Sequence, residues 1–493
     1  MDNVEQFLKE VLALLPEERV SRDEAVLTSY ATDLSSPPGV ATLPAAVILP
    51  KTVEEVREVL VAANRHKVPV VPMGRGANIA GLAVPHKGEV VIDLRLMNRI
   101  IEINTDAAYA VVEPGVTHHQ LSVEARKHGF INHLPTATGG ASTMANYLMR
   151  PSGNLSAKWD PDPILSLEVV TPTGEIMRTG SASFGTAGWR ARYGPFPDLT
   201  GLFVCSYGTL GIVTKAAVKL FDRGEEERLL VTKFDSLAPA LEYMKLIVRR
   251  KLADSVTFWC WVWNMFHTLM ASRTQELPPE MMKEDQRTPP PGIPFGIASA
   301  RLSGYKEVVD VQERTCIRLA RELGGRLRIA GGAQGHAPRQ LGVPLQLLRG
   351  GDSPQTRRGI HHAKGALVAW VVGERRVQGH PRTGEVDVRV RRQGGKAPYM
   401  FRVLPFNQAR EFFFAFVILI PGDLREQRDY MLQLRKSYAN FYYDFLKKHG
   451  AVMFRFRQDP NFLSQTGPYG ELLRKIEKVL DPNNIMHPGV NLF

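Results

Sequence analysis

The chain of 493 residues is longer than one hydrophobic core usually serves, so two domains are expected, and its 44% apolar and 23% charged residues are ordinary for a globular protein. The formal charge of +12 is concentrated rather than spread: residues 331–398 hold ten Arg and two Lys against four acids, about +8, which argues against a general nucleic-acid-binding coat. Cys205, Cys260 and Cys316 lie far apart with no paired spacing, which excludes a disulfide framework or a self-contained iron–sulfur or zinc site and favours a reducing, cytoplasmic setting.

At the N-terminus, MDNVEQFLKEVLALLPEE reads as an acidic amphipathic helix, without the basic leader and long apolar core of a signal peptide. AAVILP (45–50) predicts a strand, and Thr52 with Glu55 predicts a capping box opening a helix that carries Val53, Val56, Val59 and Leu60 on one face. VPVV is the next strand and runs directly into VVPMGRGANIAGLAVP (70–85), a loop with Gly74, Gly76 and Gly81. Three short strands follow in VVIDL, RIIEI and YAVVEPG. HHQLSVEARKHG (118–129) predicts a helix in which His118 and His119 take capping or surface roles. LSLEVVTPTGEIMRTG reads as a hairpin around Thr173-Gly174. Such mixing of short strands with helices predicts an α+β fold.

A second region begins near residue 221. Its most apolar window, VTFWCWVWNMFHTLM (256–270), is shorter than the roughly 20 residues of a spanning helix and reads as an aromatic strand and turn in a core or pocket wall; no integral membrane span is expected. The Arg-, Gly- and Pro-rich stretch 331–398 has little periodicity outside ALVAWVVG, and reads either as a surface insertion or as a cationic loop that gathers anionic substrates. FFFAFVILIPG (412–422) predicts a strand, and 425–450 a long helix ending on Gly450.

The glycine loop fails two familiar phosphate-binding patterns. A dinucleotide fingerprint needs a third glycine where Ile79 stands, and the triphosphate loop needs Gly-Lys-Ser/Thr. Alone, the loop belongs to another class or is a plain turn. It is, however, followed in order by IDLRLMNRII, AVVEPGVTHHQL, DLTGLFVCSYGTLGIVTKAAVKLF and, at the chain end, LDPNNIMHPGVNLF. This ordered set resembles the FAD-linked oxidases of the vanillyl-alcohol oxidase and glycolate oxidase D-subunit superfamily, over about residues 43–220 plus the last fifteen.

The resemblance implies a PCMH-type FAD-binding domain of two α+β subdomains at 1–222 (core about 40–222). It implies a cap or substrate domain at 223–449, on an antiparallel sheet with flanking helices and containing the 331–398 insertion. A C-terminal segment, 450–493, would return to the first domain. The flavin would lie between domain and cap. In the first loop Pro72, Gly74, Arg75, Gly76, Ala77 and Asn78 would cradle its pyrophosphate, because glycines permit positive φ and close backbone approach. In the second segment, HLPTATGGASTMANYLMRPSGN (133–154), the implied contacts are Pro135, Gly139, Ser142, Ala145, Asn146 and Gly153. Its Ser-x3-Asn-x3-Arg-x2-Gly spacing resembles the phenol-oxidising branch. Gly208, Gly211 and Ile212 would line the adenine and ribose half, and Tyr207 stands where relatives often carry Glu.

Two metal-site segments of hydroxy-acid members, His-x-Gly-Asp-Gly-x-x-His and Gly-Glu-His-Gly-Ile-Gly, do not occur in this sequence, so no metal is expected. In the late position GAVMFRFRQDPNF (450–462) resembles the aromatic-Arg pair that binds a phenolate. Arg455 or Arg457 would hold a phenolate or carboxylate, unless both simply line a solvated strand face. Asp160, in KWDPDP, stands near the place where such relatives carry an aspartate beside the reactive flavin nitrogen, as general base or balancing charge. Asp162 competes for that role, and a plain turn is the alternative. The first loop has no His, and His361, His362 and His380 match no attachment motif, so FAD is expected without a covalent bond.

The implied activity is oxidation of a phenolic or aromatic alcohol, or a related C–H, by hydride transfer to flavin N5. A 2-hydroxy-acid dehydrogenase, and a flavoprotein subunit passing electrons to an iron–sulfur partner, stay open as alternatives. Partners are then a small-molecule substrate and an electron acceptor, with self-association left open.

Overall fold

The computed structural model describes residues 3–33, 42–77, 81–135, 138–150, 162–272, 288–329, 366–374, 399–406, 408–419, 451–453 and 463–488. Its first sheet is formed by β1 (Val20–Ser21), β2 (Val47–Ile48), β3 (Val70–Met73) and β4 (Val90–Asp93), in the order β1-β2-β4-β3. The pairs β2–β4 and β3–β4 are parallel, and all four residues of β4 are buried, as expected where both faces of a parallel sheet are covered. Helices α1 (Asn3–Leu14) and α3 (Val53–His66) cover one face through Phe7, Val11, Val56, Val59 and Leu60, and α2 (Glu24–Tyr30) covers the other through Leu27 and Tyr30.

Thr52 caps α3 as expected, its hydroxyl accepting from the Glu55 amide at 3.1 Å. The Glu55 carboxylate also accepts from Arg19 at 2.6 and 2.9 Å and from the Lys51 amide at 2.6 Å. A two-pronged guanidinium offers stronger, charge-assisted bonds than one neutral amide, and it holds Glu55 below the usual carboxylate range.

The second sheet comprises β5 (Ile100–Asn104), β6 (Tyr109–Val112), β7 (Phe130–Asn132), β8 (Ile164–Val170), β9 (Ile176–Arg178) and β10 (Ile212–Asp222). Its order is β5-β6-β10-β8-β9, with β7 also on β10, and every pairing is antiparallel. The β8–β9 pair is the hairpin read around Thr173-Gly174. Helices α4 (His118–Lys127), α5 (Thr143–Leu148) and α6 (Leu199–Phe203) pack on it through Leu121, Met144, Tyr147 and Phe203.

A third, antiparallel sheet holds β11 (Glu226–Phe234), β12 (Ser255–Cys260), β13 (Gly296–Gly304), β14 (Arg326–Ile329), β15 (Ala366–Glu374), β16 (Tyr399–Phe406), β17 (Glu411–Leu419) and β18 (Ala451–Met453). Its order is β14-β11-β13-β12-β16-β17-β15-β18. Helices α7 (Leu237–Arg249) and α9 (Lys306–Glu322) close one face around Phe258, Tyr243 and Val403. The other face is aromatic and carries Trp259, Trp263, Leu404 and Phe413.

The apolar window after β12 is a helix, α8 (Trp261–Ser272), rather than the expected turn. Its polar residues Asn264, His267 and Thr268 recur at the helical spacing i, i+3, i+4, but they are few within an aromatic run whose first half is the strand β12. Within the Arg-rich stretch, ALVAWVVG is β15, paired residue for residue with β17 from Ala366↔Leu419 to Glu374↔Glu411. The long helix expected at 425–450 lies outside the described residues.

The segment expected to return from residue 450 begins with β18, still in the third sheet. Helix α10 (Pro468–Leu480) follows, and then 481–488 lies against β3. There the Val70 amide donates to Ile485 O and the His487 amide to Val70 O, both at 2.8 Å. The Asp481 carboxylate shapes this turn by accepting from the Ile485 and Met486 amides at 3.1 and 2.7 Å. The fold is thus α+β, and among the described residues no helix is long and apolar enough to cross a membrane.

Candidate functional site

Strand β3 ends at Met73, and the glycine loop turns against the start of α5. A Cβ on Gly74 would lie 3.1 Å from Ser142 Cβ and 3.2 Å from Ala145 Cβ, so only a glycine passes there without displacing the helix. Gly76 has φ +68°, the left-handed conformation that side chains disfavour. Arg75 and Ala77 are exposed on the loop.

Ser142 is the N-cap of α5. Its hydroxyl accepts from the Ala145 amide at 3.1 Å and donates to Pro114 O at 2.5 Å, while its backbone bridges to Thr117. The expected polar contact from Ser142 is therefore already committed to holding the helix, which leaves a smooth face of Ala141, Ser142 and Ala145.

A third wall comes from the turn between α6 and β10. Tyr207 has φ 55° and Gly208 φ 79°, and a Cβ on Gly208 would lie 2.5 Å from Pro72 Cγ. A Cβ on Gly211 would meet Val170 O at 2.7 Å. Ile212 is buried at the start of β10.

These segments enclose one cleft with about 990 Å³ of empty space, part of it open to solvent. Pro72, Gly74, Arg75, Gly76, Ala77, Ser142, Ala145, Asn146, Gly211 and Ile212 all line it, joined by Met144, Phe203, Tyr207 and Gly208. Pro135 and Gly139 do not. Pro135 is buried just beyond β7, and Gly139 gives its carbonyl to the His119 amide at 2.9 Å. Asn78, Gly153, Asp160, Arg455 and Arg457 lie outside the described residues. Asp162 is engaged elsewhere, 3.0 Å from Arg192, which also holds Asp198 at 2.9 Å.

Behind α5 lies a polar cluster that sequence reasoning missed. His118 was expected at a cap or on the surface, but it is 1% exposed, and the cap is Thr117, paired reciprocally with Gln120. The His118 ring lies 5.5 Å from that of Tyr147, and His133, also buried, lies 6.0 Å from it on another side. Burial pushes His118 down to about 3, with a further push from His133, and pushes His133 down to about 4; both are neutral at pH 7. The only local signal was helix phase: the position after an N-cap faces inward when Leu121 and Ala125 do.

The cleft meets the chemical demands of FAD. Small residues and glycines leave a flat passage past the N-terminus of α5, and the loop backbone can present amides to a pyrophosphate. Asn146 Oδ1 is buried in the lining and has no hydrogen-bond partner among the described residues, an acceptor suited to a ring N–H. Among the described residues no group of three or more His, Cys, Asp or Glu is placed to hold a metal.

Comparison with known proteins agrees. Residues 44–180 match the FAD binding domain family. Glycolate oxidase subunit GlcD of Bacillus subtilis is 33% identical over 219 residues, 44% of this chain and 45% of that protein, so this chain spans less than half the length of that relative. The 4-cresol dehydrogenase (hydroxylating) flavoprotein subunit of Pseudomonas putida is 25% identical over 97% of this chain and 93% of its own. A solved structure of p-cresol methylhydroxylase with substrate bound shares the fold, with a TM-score of 0.82 over 99% of this chain and 96% of that one at 21% identity. Residues 44–180 thus match an FAD binding domain, the whole chain shares the fold of p-cresol methylhydroxylase, and in sequence it is similar to FAD-linked oxidases.

Proposed function

We propose that this chain is an FAD-dependent oxidoreductase acting on a phenolic or aromatic alcohol, or on a related C–H bond. Bound FAD supplies the hydride acceptor, N5 of its ring. The observation that carries the reading is the meeting of the glycine loop, α5 and the Tyr207–Ile212 turn around one cleft. In this reading the amides of residues 74–77, extended by Asn78, hold the pyrophosphate. Ala141, Ser142 and Ala145 pass beside the ring, and Asn146 accepts from it. Gly211 and Ile212 flank the nucleotide half. The domain is assigned to 1–222, the cap to 223–449 and the closing segment to 450–493, with FAD held non-covalently.

The substrate side rests on sequence. Asp160 is assigned as general base or balancing charge, and Arg455 or Arg457 as the anchor of a phenolate by charge-assisted hydrogen bonds. Two observations favour the phenol: the nearly full-length match to 4-cresol dehydrogenase, and a sequence without either hydroxy-acid metal segment. The half-length match to GlcD favours a 2-hydroxy acid as second reading. Electrons leave through a partner protein, a quinone, a cytochrome or oxygen; an iron–sulfur partner would have to bring its own cluster cysteines. Anaerobic mixing of the FAD-loaded protein with 4-alkylphenols and with 2-hydroxy acids separates the readings. Bleaching of the flavin absorbance by the phenols is expected, and bleaching by the hydroxy acids alone would overturn the phenol assignment.

A further inference from the structure

The back of the cleft is held by a residue 280 positions away from the wall it touches. His487 Nδ1 lies 3.2 Å from Tyr207 O, and since a carbonyl only accepts, Nδ1 carries the proton. The same residue gives its backbone amide to Val70 O at 2.8 Å, at the start of the strand that ends in the glycine loop. One residue thus ties β3 to the Tyr207–Gly208 turn, which form two different walls of the cleft. Gly208 in turn sits so close to Pro72 that a Cβ would reach within 2.5 Å of it.

The backbone around this junction is unusual. Cys205 (φ 63°), Tyr207 (φ 55°) and His487 (φ 47°) are non-glycine residues in the left-handed region. Conformations of this kind persist only where the surroundings over-determine them, and they gather at ligand clamps. His487 is 1% exposed, and besides Tyr207 its imidazole is faced by the Val84 backbone, Glu89 and His86. Burial drives its imidazole down to about 4, so it is a neutral donor at pH 7.

We infer that His487 is a positioning residue for the cofactor cleft: by donating to the Tyr207 carbonyl it fixes the Tyr207–Gly208 turn against Pro72 and makes FAD retention depend on the C-terminal segment. The inference rests on the reading of the cleft as an FAD site. Without this bond the half-buried Tyr207 loses the imidazole donor to its carbonyl, and the turn, strained in the left-handed region, is free to relax away from the cleft.

The test is titration of FAD into apoprotein, followed by flavin fluorescence, for wild type, His487→Leu and His487→Asn. Leu removes the donor and is expected to weaken FAD binding about tenfold, the size of one lost hydrogen bond, and to speed flavin release. Asn can donate to the same carbonyl and is expected to stay within about threefold of wild type. Leu binding as tightly as wild type, or Asn as weakly as Leu, would overturn the inference. Should the Leu variant fail to fold, hydrogen exchange on the wild-type protein carries the test. Residues 205–209 and 484–488 are expected to slow together when FAD binds, and indifference of 484–488 would overturn the latch. Wild-type apoprotein that takes up no FAD would refute the cleft reading and the latch with it, whereas uptake equal in wild type and Leu refutes the latch alone.

Discussion

The cleft and the third sheet solve opposite problems. The cleft is built from what side chains leave out: Gly74, Gly76, Gly208 and Gly211 occupy positions where a Cβ would collide or where φ is positive, and Ser142 spends its hydroxyl on the backbone. The third sheet is built from what side chains fill in. Its aromatic face carries Trp259, Trp263, Phe406 and Phe413, with Arg402, 4% exposed, lying 5.6 and 5.5 Å from the two indole rings. A backbone-lined site tolerates almost no added atom, whereas an aromatic face tolerates none removed. Substitutions in the two regions therefore separate cofactor binding from stability.

The largest effect is expected from Gly76→Asp. It places a Cβ at φ +68° and a negative charge in the loop assigned to the pyrophosphate, and FAD affinity is expected to fall more than about 100-fold, because strain and like-charge repulsion act together. Circular dichroism should show an unchanged fold, and normal flavin content would break the contrast on the cleft side. Phe413→Ala tests the other side. Phe413 is fully buried in β17, and its truncation is expected to cost about 3–5 kcal/mol in denaturant unfolding of the unit containing the third sheet. FAD affinity measured well below the transition should not change; a loss comparable to that of Gly76→Asp would erase the distinction.

A smaller, pH-dependent effect distinguishes the regions without mutation. His118, His133 and His487 all belong to the cleft side, and burial lowers them to about 3, 4 and 4 from an ordinary 6.5. Below 6.5 the unfolded chain takes up protons that the folded one refuses. The stability they allow is thus fully present above pH 6.5 and is lost as pH falls toward 4 and then 3, by on the order of a few kcal/mol. Urea unfolding at pH 7.5 and pH 5 should show the first two sheets losing more stability than the third. Equal losses would mean that these imidazoles are not what titrates.

How much of this was legible in the sequence follows from the same contrast. The glycine loop, the Ser142–Asn146 spacing and the Tyr207–Ile212 turn could be read because a backbone-lined site writes its demand locally, as glycines and small residues at fixed offsets. The strands could be read wherever alternation or a turn marked them, as in β8–β9. Three features could not. The window that forms α8 carries a helical period only in Asn264, His267 and Thr268, too few polar residues to stand out against an aromatic run. His118 looks like any polar residue after a cap, and its burial depends on which face of α4 meets the second sheet. His487 acts on a residue 280 positions away, a contact made by the course of the chain rather than by any motif. The substrate-side chemistry, assigned in the proposal to Asp160 and to Arg455 or Arg457, is likewise a matter of single residues, with little in their sequence neighbours to single them out.

The most direct measurement is FAD uptake by the wild-type protein, read from the flavin absorbance of material incubated with excess FAD and then freed of unbound cofactor. The account predicts one FAD retained per chain in wild type and almost none in Gly76→Asp. A wild-type protein that retains no flavin, or a Gly76→Asp variant that retains as much, would contradict the assignment of the glycine-walled cleft as the cofactor site.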